Sequence, residues 1–452
     1  MMRMLLIPAA FLVAIGVLVA VHEFGHYWVA KRLGFKVLRF SIGFGKPLVM
    51  RVGKDPDRTE YCVAAIPLGG YVKLLDEREG EVAPAELPRS FTRRPVLHRV
   101  AVLLAGPAMN LLFASILYAI LGMVGVEIVR PVVGQVRADS PAAVAGLQAG
   151  DQIVGVGDRR VDDTEELEIA LIREFSGAAV VPVRVRRDGG ERALVLRVGQ
   201  ERRALTEPGK LLPGLGFDLA ADTVVRDAPA GSAGARAGLK TGDKLLAVDG
   251  QPVANMESFV ATISAAPDRE VSIEVERGGH RQRLVAKVAR VDVQGKSVGK
   301  LGIGVDERAP SAAGLVEIHR LGPVDALAAG FGKTWEMSTL TVQMLWRIVD
   351  GQVSAKNISG PLSIAEFAGI SAYLGITAFL AFLAIISVSL GVLNLMPVPL
   401  LDGGQIVYQL VEAVKGSPLS ERAQLFGQQV GIALLVLLMS LAFYNDISRH
   451  FN

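Results

Sequence analysis

The chain has 452 residues, of which 51% are hydrophobic and 21% charged, and its formal net charge is +3. A disordered chain is excluded, because disorder requires low hydrophobicity and high charge. The single cysteine, Cys62, cannot form an internal disulfide, so folding does not depend on oxidation. The nearly neutral charge balance indicates no nucleic acid partner, since nucleic acid binding calls for a strongly basic patch.

Four stretches without a charged side chain set the organisation of the chain: 4–21, 100–126, 367–401 and 423–445. Crossing the hydrocarbon core of a bilayer takes about 20 apolar residues, and lipid forces each backbone amide to bond within its own segment. We therefore expect a polytopic α-helical membrane protein with four transmembrane helices. The first stretch also fits a signal peptide, but cleavage would remove the helix that the next motif needs.

Lysine and arginine next to the apolar stretches predict the orientation, because loops rich in these residues stay in the cytoplasm. They are in excess over acidic residues in 31–99. This segment and the connection 403–422 are therefore predicted to be cytoplasmic, while 127–366 and both termini lie on the opposite side of the membrane. The transmembrane segments of this arrangement are 1–30, 100–126, 367–402 and 423–445.

The long segment contains two similar sequences, DSPAAVAGLQAGDQIVGVGD from Asp139 and GSAGARAGLKTGDKLLAVDG from Gly231. Each is followed by a helical pattern and then by alternating apolar residues around a Gly-Gly turn, which is typical of a β-hairpin. Repeats of about 90 residues are too long for solenoid units. We predict two small tandem domains, at 127–219 and 220–310, followed by an amphipathic segment at 311–366 that lies on the outer surface or is a connecting loop.

The sequence His22-Glu23-Phe24-Gly25-His26 fits the H-E-x-x-H pattern of metalloproteases. Residues four apart share one face of a helix, so both imidazoles can bind one ion. Neutral imidazole suits Zn²⁺, and Glu23 is placed to act as a base on the hydrolytic water. The alternative is a pair of interfacial histidines that happen to flank a glutamate, although ionisable groups at the end of a spanning helix are usually functional.

A catalytic zinc typically has three protein ligands, so this motif lacks one. The remaining histidines are candidates by type, namely His98, His280, His319 and His450. The predicted topology puts the last three on the wrong side of the membrane, and His98 lies in a basic stretch without a motif. Asp402 is the better candidate, because it follows prolines that break the third helix and precedes two glycines. The same topology brings Asp402 to the membrane face where His26 emerges.

Together, HEFGH in the first span, NLMPVPLLDGG from Asn394 in the third, and the tandem repeat between the second and third spans resemble the site-2 protease family of intramembrane zinc proteases. The resemblance covers essentially the whole chain. It implies two tandem, circularly permuted PDZ domains (α+β) on the periplasmic side and a membrane-associated β-region within 31–99. It also implies a bacterial inner membrane location, with the active site near the cytoplasmic face.

The resemblance implies roles for individual residues and a class of substrate. His22, His26 and Asp402 would hold one Zn²⁺, Glu23 would be the catalytic base, and Asn394 would assist near the scissile peptide. Family members cut single-span membrane proteins, typically an anti-sigma factor already trimmed on its outer side in envelope stress signalling, and also remnant signal peptides. The PDZ pair would act as a size filter that excludes untrimmed substrates.

Further candidates for substrate binding follow from the same resemblance. An edge strand around Gly43-Phe44-Gly45 would pair with the substrate, and Pro397 and Pro399 lie in the third-span motif. The PDZ binding loops would be Leu215-Gly216-Phe217 and Leu301-Gly302-Ile303. Plain hairpin turns and strands without a ligand are the alternatives. Asn110, in the second span, is interpreted mainly as a helix-packing residue that bonds across helices, and Gln405 stands where a histidine is common in the family.

Three other functions compete with this one. A membrane-anchored quality-control protease shares H-E-x-x-H but usually has its site in a soluble domain. A non-catalytic scaffold would use the PDZ pair to bind C-termini and would need no zinc. A metal transporter would require carboxylates along a path through the membrane, and the predicted spans contain almost none.

Overall fold

The computed structural model describes residues 2–78, 80–199, 202–207, 209–253, 255–293, 296–308, 316–417 and 419–451. The chain divides into two compact units. The first unit comprises Met1–Val126, Arg320–Asp350 and Ala355–Asn452, and the second comprises Glu127–His319 with Gly351–Ser354.

The long apolar helices are all in the first unit, and the described helices of the second unit have at most 14 residues. In chain order the helices are α1 Met2–Arg32, α2 Val96–Val124, α3 Pro141–Val144, α4 Thr164–Gly177, α5 Arg202–Leu205, α6 Leu211–Leu215, α7 Ala233–Arg236, α8 Met256–Ser264, α9 Pro323–Val349, α10 Pro361–Leu374, α11 Ile376–Leu395, α12 Asp402–Lys415 and α13 Glu421–Phe451. Short 3₁₀ turns lie at Leu87–Arg89, Phe91–Arg93 and Ala355–Asn357.

The strands are mostly in the second unit. In chain order they are β1 Val37–Val52, β2 Glu60–Leu74, β3 Val126–Val129, β4 Val133–Val136, β5 Gln152–Val156, β6 Arg159–Arg160, β7 Val180–Arg187, β8 Gly190–Arg197, β9 Phe217–Leu219, β10 Asp222–Asp227, β11 Lys244–Val248, β12 Gln251–Pro252, β13 Glu270–Arg277, β14 His280–Lys287, β15 Ala289–Val293, β16 Lys296–Lys300, β17 Gly304–Arg308 and β18 Val316–His319.

Four helices among the described residues are long and apolar enough to cross a membrane, as the sequence predicts. They are Leu6–Arg32, Val96–Val124, Ile376–Leu395 and Arg422–Ser448. The first three of these helices pack against one another and bury small side chains between them, including Ala14, Ala114 and Ala384. Small residues let helix backbones approach closely where lipid provides no hydrophobic driving force.

The third apolar stretch is not one continuous helix. It breaks at Gly375, whose φ of +120° is a conformation that favours glycine, and the spanning part begins at Ile376. The preceding helix, α10, packs against α1, where a Cβ at Gly369 would lie 2.4 Å from a side-chain carbon of Ile7. Apolar composition alone could not reveal this break, because it depends on one backbone dihedral angle.

The segment predicted to be amphipathic contains the long helix α9. One face of α9 packs on α2, where Thr334 Oγ1 lies 3.0 Å from Ser115 Oγ and a Cβ at Gly330 would lie 2.3 Å from the Ser115 carbonyl oxygen. The opposite face exposes Trp335 and Trp346. Its location on the outer membrane surface stays a prediction.

Strands β1 and β2 form the sheet of the first unit, and both are bent. Residues around Phe40 pair on one side with 60–63 and on the other side with 70–74. The segment 37–42 is therefore an interior part of the sheet, and Gly70–Leu74 forms the edge on one side. This sheet follows α1 directly, so it lies next to the end of the helix that carries His26.

The second unit has two apolar cores. One is built around Phe175 and Leu215, the other around Phe259 and Ile273. The first half contains the sheet β6-β5-β7-β8 and the pair β4-β9, and the second half contains β14-β13-β11-β10-β17 with β12 on β11. In both halves the last strand, β9 or β17, pairs antiparallel with the first strand of its half.

Candidate metal centre

The two histidines of the H-E-x-x-H motif lie one turn apart on α1. His22 Nε2 and His26 Nε2 are 3.1 Å apart, and their rings meet edge to face with centroids 4.8 Å apart. Both nitrogens therefore point at one small region of space. This is the geometry that the i, i+4 spacing predicts for a helix.

Asp402 reaches the same region from the other end of the chain. Helix α11 ends at Leu395, the chain continues without helix through two prolines, and α12 begins at Asp402. A Cβ at Gly403 would lie 2.3 Å from the Leu395 carbonyl oxygen, and one at Gly404 would lie 2.1 Å from the Val398 carbonyl oxygen. Both glycines are therefore required for α12 to start this close to the end of α11.

The three side chains form a set that fits a zinc ion. Asp402 Oδ2 lies 3.2 Å from His22 Nε2 and 3.5 Å from His26 Nε2. Tetrahedral zinc with bonds of about 2.0–2.1 Å would place its ligand atoms roughly 3.3 Å apart. Asp402 Oδ2 is also buried, and no donor in the described part of the chain satisfies its hydrogen-bonding geometry. A cation between the three atoms would satisfy it.

Helix α2 holds the histidines in place from the side. His26 Nδ1 lies 2.7 Å from the Val102 carbonyl oxygen, and the Asn110 amide contacts His22 Nδ1 at 3.1 Å. Gly106 lies between these contacts, where a Cβ would be 2.2 Å from His26 Nε2. The sequence predicts that Asn110 bonds across helices; the structure shows that its partner is a candidate metal ligand.

The candidate site opens into a cavity of about 360 Å³. Its lining includes Glu23, Asn394 and the edge strand through Gly70, Tyr71 and Val72. The Glu23 side chain is buried. The structure thus brings the two predicted catalytic side chains to the same cavity as the metal-binding set.

Other predicted substrate-binding residues lie outside that lining. Gly43 and Gly45 flank Phe44, whose partner in the sheet is Ile66, and the Phe44 ring stacks on Tyr71 of the edge strand with centroids 6.1 Å apart. In the loop before Asp402, Leu400 and Leu401 line the cavity, whereas Pro397 and Pro399 do not appear in that lining. Gln405 Nε2 donates to the Pro399 carbonyl oxygen at 3.0 Å, so it stabilises this loop.

The predicted PDZ loops lie in the second unit. Leu215 and Phe217 belong to one apolar core and Leu301 to the other, with Ile303 packed against it. Gly216 and Gly302 have φ values of +84° and +67°, which favour glycine. These loops therefore have a structural role in both halves of the unit.

Sequence reasoning missed an ion pair between α2 and α12. Arg99 Nη2 lies 2.6 Å from Glu412 Oε1, and Arg99 Nη1 lies 3.0 Å from Glu412 Oε2. The bond to Arg99 lowers the pKa of the Glu412 carboxyl below its usual value. This bidentate pair fixes the helix that begins with Asp402, and no sequence signal links two residues so far apart.

A second missed feature explains the Gly-Asp pairs of the repeat. Asp151 accepts hydrogen bonds from Arg187 Nε and Nη2, both at 2.6 Å. Asp243 accepts from Arg277 Nε at 2.6 Å and Nη2 at 2.7 Å. Each arginine also donates to a backbone carbonyl in the turn before its aspartate, that of Gly146 or Gly238.

Helices long and apolar enough to span a membrane, H-E-x-x-H on the first of them, and a carboxylate beside its two imidazoles are typical of a membrane-bound zinc metalloprotease. The model of peptidase family M50 matches residues 10–438, and the chain belongs to this family of site-2 proteases. It is therefore an enzyme, which makes the non-catalytic scaffold and the metal transporter wrong.

Curated relatives cover nearly the whole chain. The chain is 40% identical over 446 residues to the regulator of sigma-E protease RseP of Salmonella typhimurium, with 98% of each chain covered. It is 39% identical over 446 residues to RseP of Escherichia coli, again with 98% of each chain covered. It is 42% identical over 459 residues to a putative zinc metalloprotease of Ralstonia nicotianae, with the same coverage.

Proposed function

We propose that this protein hydrolyses a peptide bond within or next to the membrane-spanning segment of single-span membrane proteins. His22, His26 and Asp402 hold the zinc ion, and Glu23 is the catalytic base. The convergence of these ligand atoms within 3.1–3.5 Å of one another carries the proposal. Two of the ligands lie on a spanning helix, which favours cleavage at the membrane over cleavage in a soluble domain.

The chain's own residues supply the proton transfers and orientation. Bound zinc would lower the pKa of the hydrolytic water and polarise the scissile carbonyl. Glu23 takes a proton from that water and passes it to the leaving nitrogen. Asn394 lines the same cavity, and its amide is placed to donate a hydrogen bond to the substrate backbone or the developing oxyanion.

The substrate must be locally extended, because a helix hides its amides in internal hydrogen bonds. The edge strand Gly70–Leu74 offers substitute bonds by strand addition, and four of its residues line the cavity. We therefore place strand addition at this edge instead of at Gly43–Gly45. A Cβ at Gly70 would lie 2.9 Å from Glu23 Cγ, so only glycine lets the strand approach the base this closely.

The relatives named regulators of sigma-E protease support an anti-sigma factor, already trimmed on its outer side, as the substrate in envelope stress signalling. Remnant signal peptides are the second substrate class. The distribution of lysine and arginine supports an orientation in the inner membrane with 31–99 and the active site near the cytoplasmic face. The second unit would then lie in the periplasm.

The second unit is proposed to contain two circularly permuted PDZ domains that act as a size filter for substrates. Support comes from the shared order of strands in its halves. The closing strand begins at Phe217 in the first half and directly after Ile303 in the second. The permuted arrangement would place each peptide-binding loop, at Leu215–Phe217 and Leu301–Ile303, at the end of its own domain.

Two variants of the full chain in the membrane test the assignment, with a single-span anti-sigma factor as the probe. Glu23→Gln should retain about one zinc per chain but lose cleavage by at least about 100-fold, because general base catalysis contributes that much or more. Asp402→Ala should lower both zinc content and cleavage. Cleavage by Glu23→Gln at the wild-type rate would reject the base, and wild-type zinc content in Asp402→Ala would reject the third ligand.

A further inference from the structure

Asn110 is a buried polar residue for which the proposed reaction gives no role. Its side chain is fully buried on α2, and its amide Nδ2 lies 3.1 Å from His22 Nδ1. Its backbone carbonyl oxygen accepts a hydrogen bond from Ser387 Oγ at 2.8 Å. The side chain and the backbone of Asn110 thus have different partners, so their contributions can be separated.

A histidine that binds metal through Nε2 must carry its proton on Nδ1, and that proton needs an acceptor. His26 meets this requirement, because its Nδ1 lies 2.7 Å from the Val102 carbonyl oxygen, which can only accept. His22 has the Asn110 amide at the corresponding position. An amide can present either an oxygen or an NH₂ group, so it decides which tautomer of His22 is favoured.

The orientation of the amide determines what Asn110 does. With Nδ2 towards His22, the amide donates to Nδ1, the proton is on Nε2, and His22 cannot bind metal through that atom. In this orientation Asn110 Oδ1 is buried without a hydrogen-bond partner among the described residues, which is unfavourable for a polar atom. With Oδ1 towards His22, the amide oxygen accepts from Nδ1–H, and Nε2 is free for the metal.

We propose that Asn110 is a positioning residue whose amide oxygen accepts a hydrogen bond from protonated His22 Nδ1 and thereby selects the metal-binding tautomer. The proposal rests on His22 being a zinc ligand, as in the proposed function. Loss of such a partner typically weakens metal affinity by about 10–100-fold. Asn110 therefore sets how tightly zinc is held without touching the zinc or the substrate.

Zinc affinity of the purified full chain, measured by competition with a chelator of known affinity, tests this role. Asn110→Leu keeps the side-chain volume but offers no acceptor, and should weaken zinc binding by about 10–100-fold. Asn110→Asp offers only acceptor oxygens, and should bind zinc at least as tightly as the wild type. Ser387→Ala is the control, because it removes a hydrogen bond at the Asn110 backbone and leaves the imidazole contact unchanged.

The outcomes separate this role from helix packing and from the proposed function. Equal zinc affinity in Asn110→Leu and wild type, or equal loss in the Leu and Asp variants, would overturn the proposal. If Asn110→Leu does not fold, Asn110→Asp and Ser387→Ala still distinguish the two roles, because a packing role predicts weakened zinc binding in both variants. His22→Ala must lose zinc in the same assay. If it retains zinc, the ligand set itself is wrong.

Discussion

At the scale of single residues, close backbone approach is what brings the candidate metal ligands together. Gly25 faces α2, where a Cβ would lie 2.3 Å from the Ala105 carbonyl oxygen, and Gly106 faces the two imidazoles. A side chain at either position would force α1 and α2 apart. The ligand geometry therefore depends on two glycines that bind nothing themselves.

Gly106→Ala should lower zinc affinity by at least about 10-fold, because an added Cβ would lie 2.2 Å from His26 Nε2 and a displaced ligand weakens a metal site. Zinc per chain after dialysis against a chelator measures this effect. Gly16→Ala on α1 is the matched control, since no described atom lies within 4 Å of a Cβ there. Equal zinc retention by both variants would contradict the steric argument.

The candidate ligands could be chosen from the sequence, because a helix has a fixed period and the charge bias predicts that Asp402 lies on the side of His26. The structure brings their side chains together. The residues that support them could not be chosen from the sequence. Asn110 and Gly106 act through contacts between helix faces, and neither hydropathy nor spacing specifies how two apolar helices rotate against each other. The same limit applies to Arg99 and Glu412, whose pairing depends on where α12 begins.

At the scale of elements, the bending of β1 and β2 determines which strand can meet a substrate. The sequence places glycines at positions 43 and 45 between alternating apolar residues, which predicts a strand there but not its neighbours in the sheet. Because 37–42 is paired on both sides, its backbone is already occupied. The edge strand that borders the cavity is Gly70–Leu74, and only the register of the sheet reveals it.

Strand addition at this edge can be tested by disulfide cross-linking. The experiment uses the Glu23→Gln variant, because this substitution prevents turnover of the substrate. In that background, a cysteine introduced at Val72 should form a disulfide with a cysteine placed beside the cleavage site of a single-span substrate. Val49→Cys, on the opposite side of the same sheet, should give little cross-linking. Native Cys62 is buried and is replaced by Ala in both. Equal yields at the two positions would argue against pairing at Gly70–Leu74.

At the scale of the whole molecule, two units with different stabilising forces are joined in one chain. The first buries small side chains between apolar helices, and the second has two apolar cores, each next to a buried Asp–Arg pair. Burial alone would raise the pKa of Asp151 and Asp243, but the bonds from Arg187 and Arg277 and from a backbone N–H lower the pKa of both carboxyls below the usual value. The repeated Gly-Asp sequence could be recognised from the sequence, whereas its arginine partners could not.

These two carboxyls predict how the stability of the second unit depends on pH. A carboxyl whose pKa is lowered by folding stabilises the folded state at pH values above its pKa in the unfolded chain, which is about 3.9. This stabilisation is lost as the pH falls through the lower pKa of the folded state. Thermal unfolding of the detergent-solubilised chain should therefore show a midpoint that falls below about pH 4. In Asp151→Asn/Asp243→Asn the midpoint should be lower at pH 7 and change less with acidification. A double variant as acid-sensitive as wild type would contradict this explanation.

The positions of the ligands along the chain have a consequence for biosynthesis. The proposed base and two of the three proposed metal ligands lie on the first spanning helix, whereas Asp402 comes after the third. A ribosome-bound or truncated chain that stops short of residue 402 therefore has an incomplete ligand set. With the proposed ligand set, an unfinished copy would not cut membrane proteins that are inserted nearby, because hydrolysis would require residue 402.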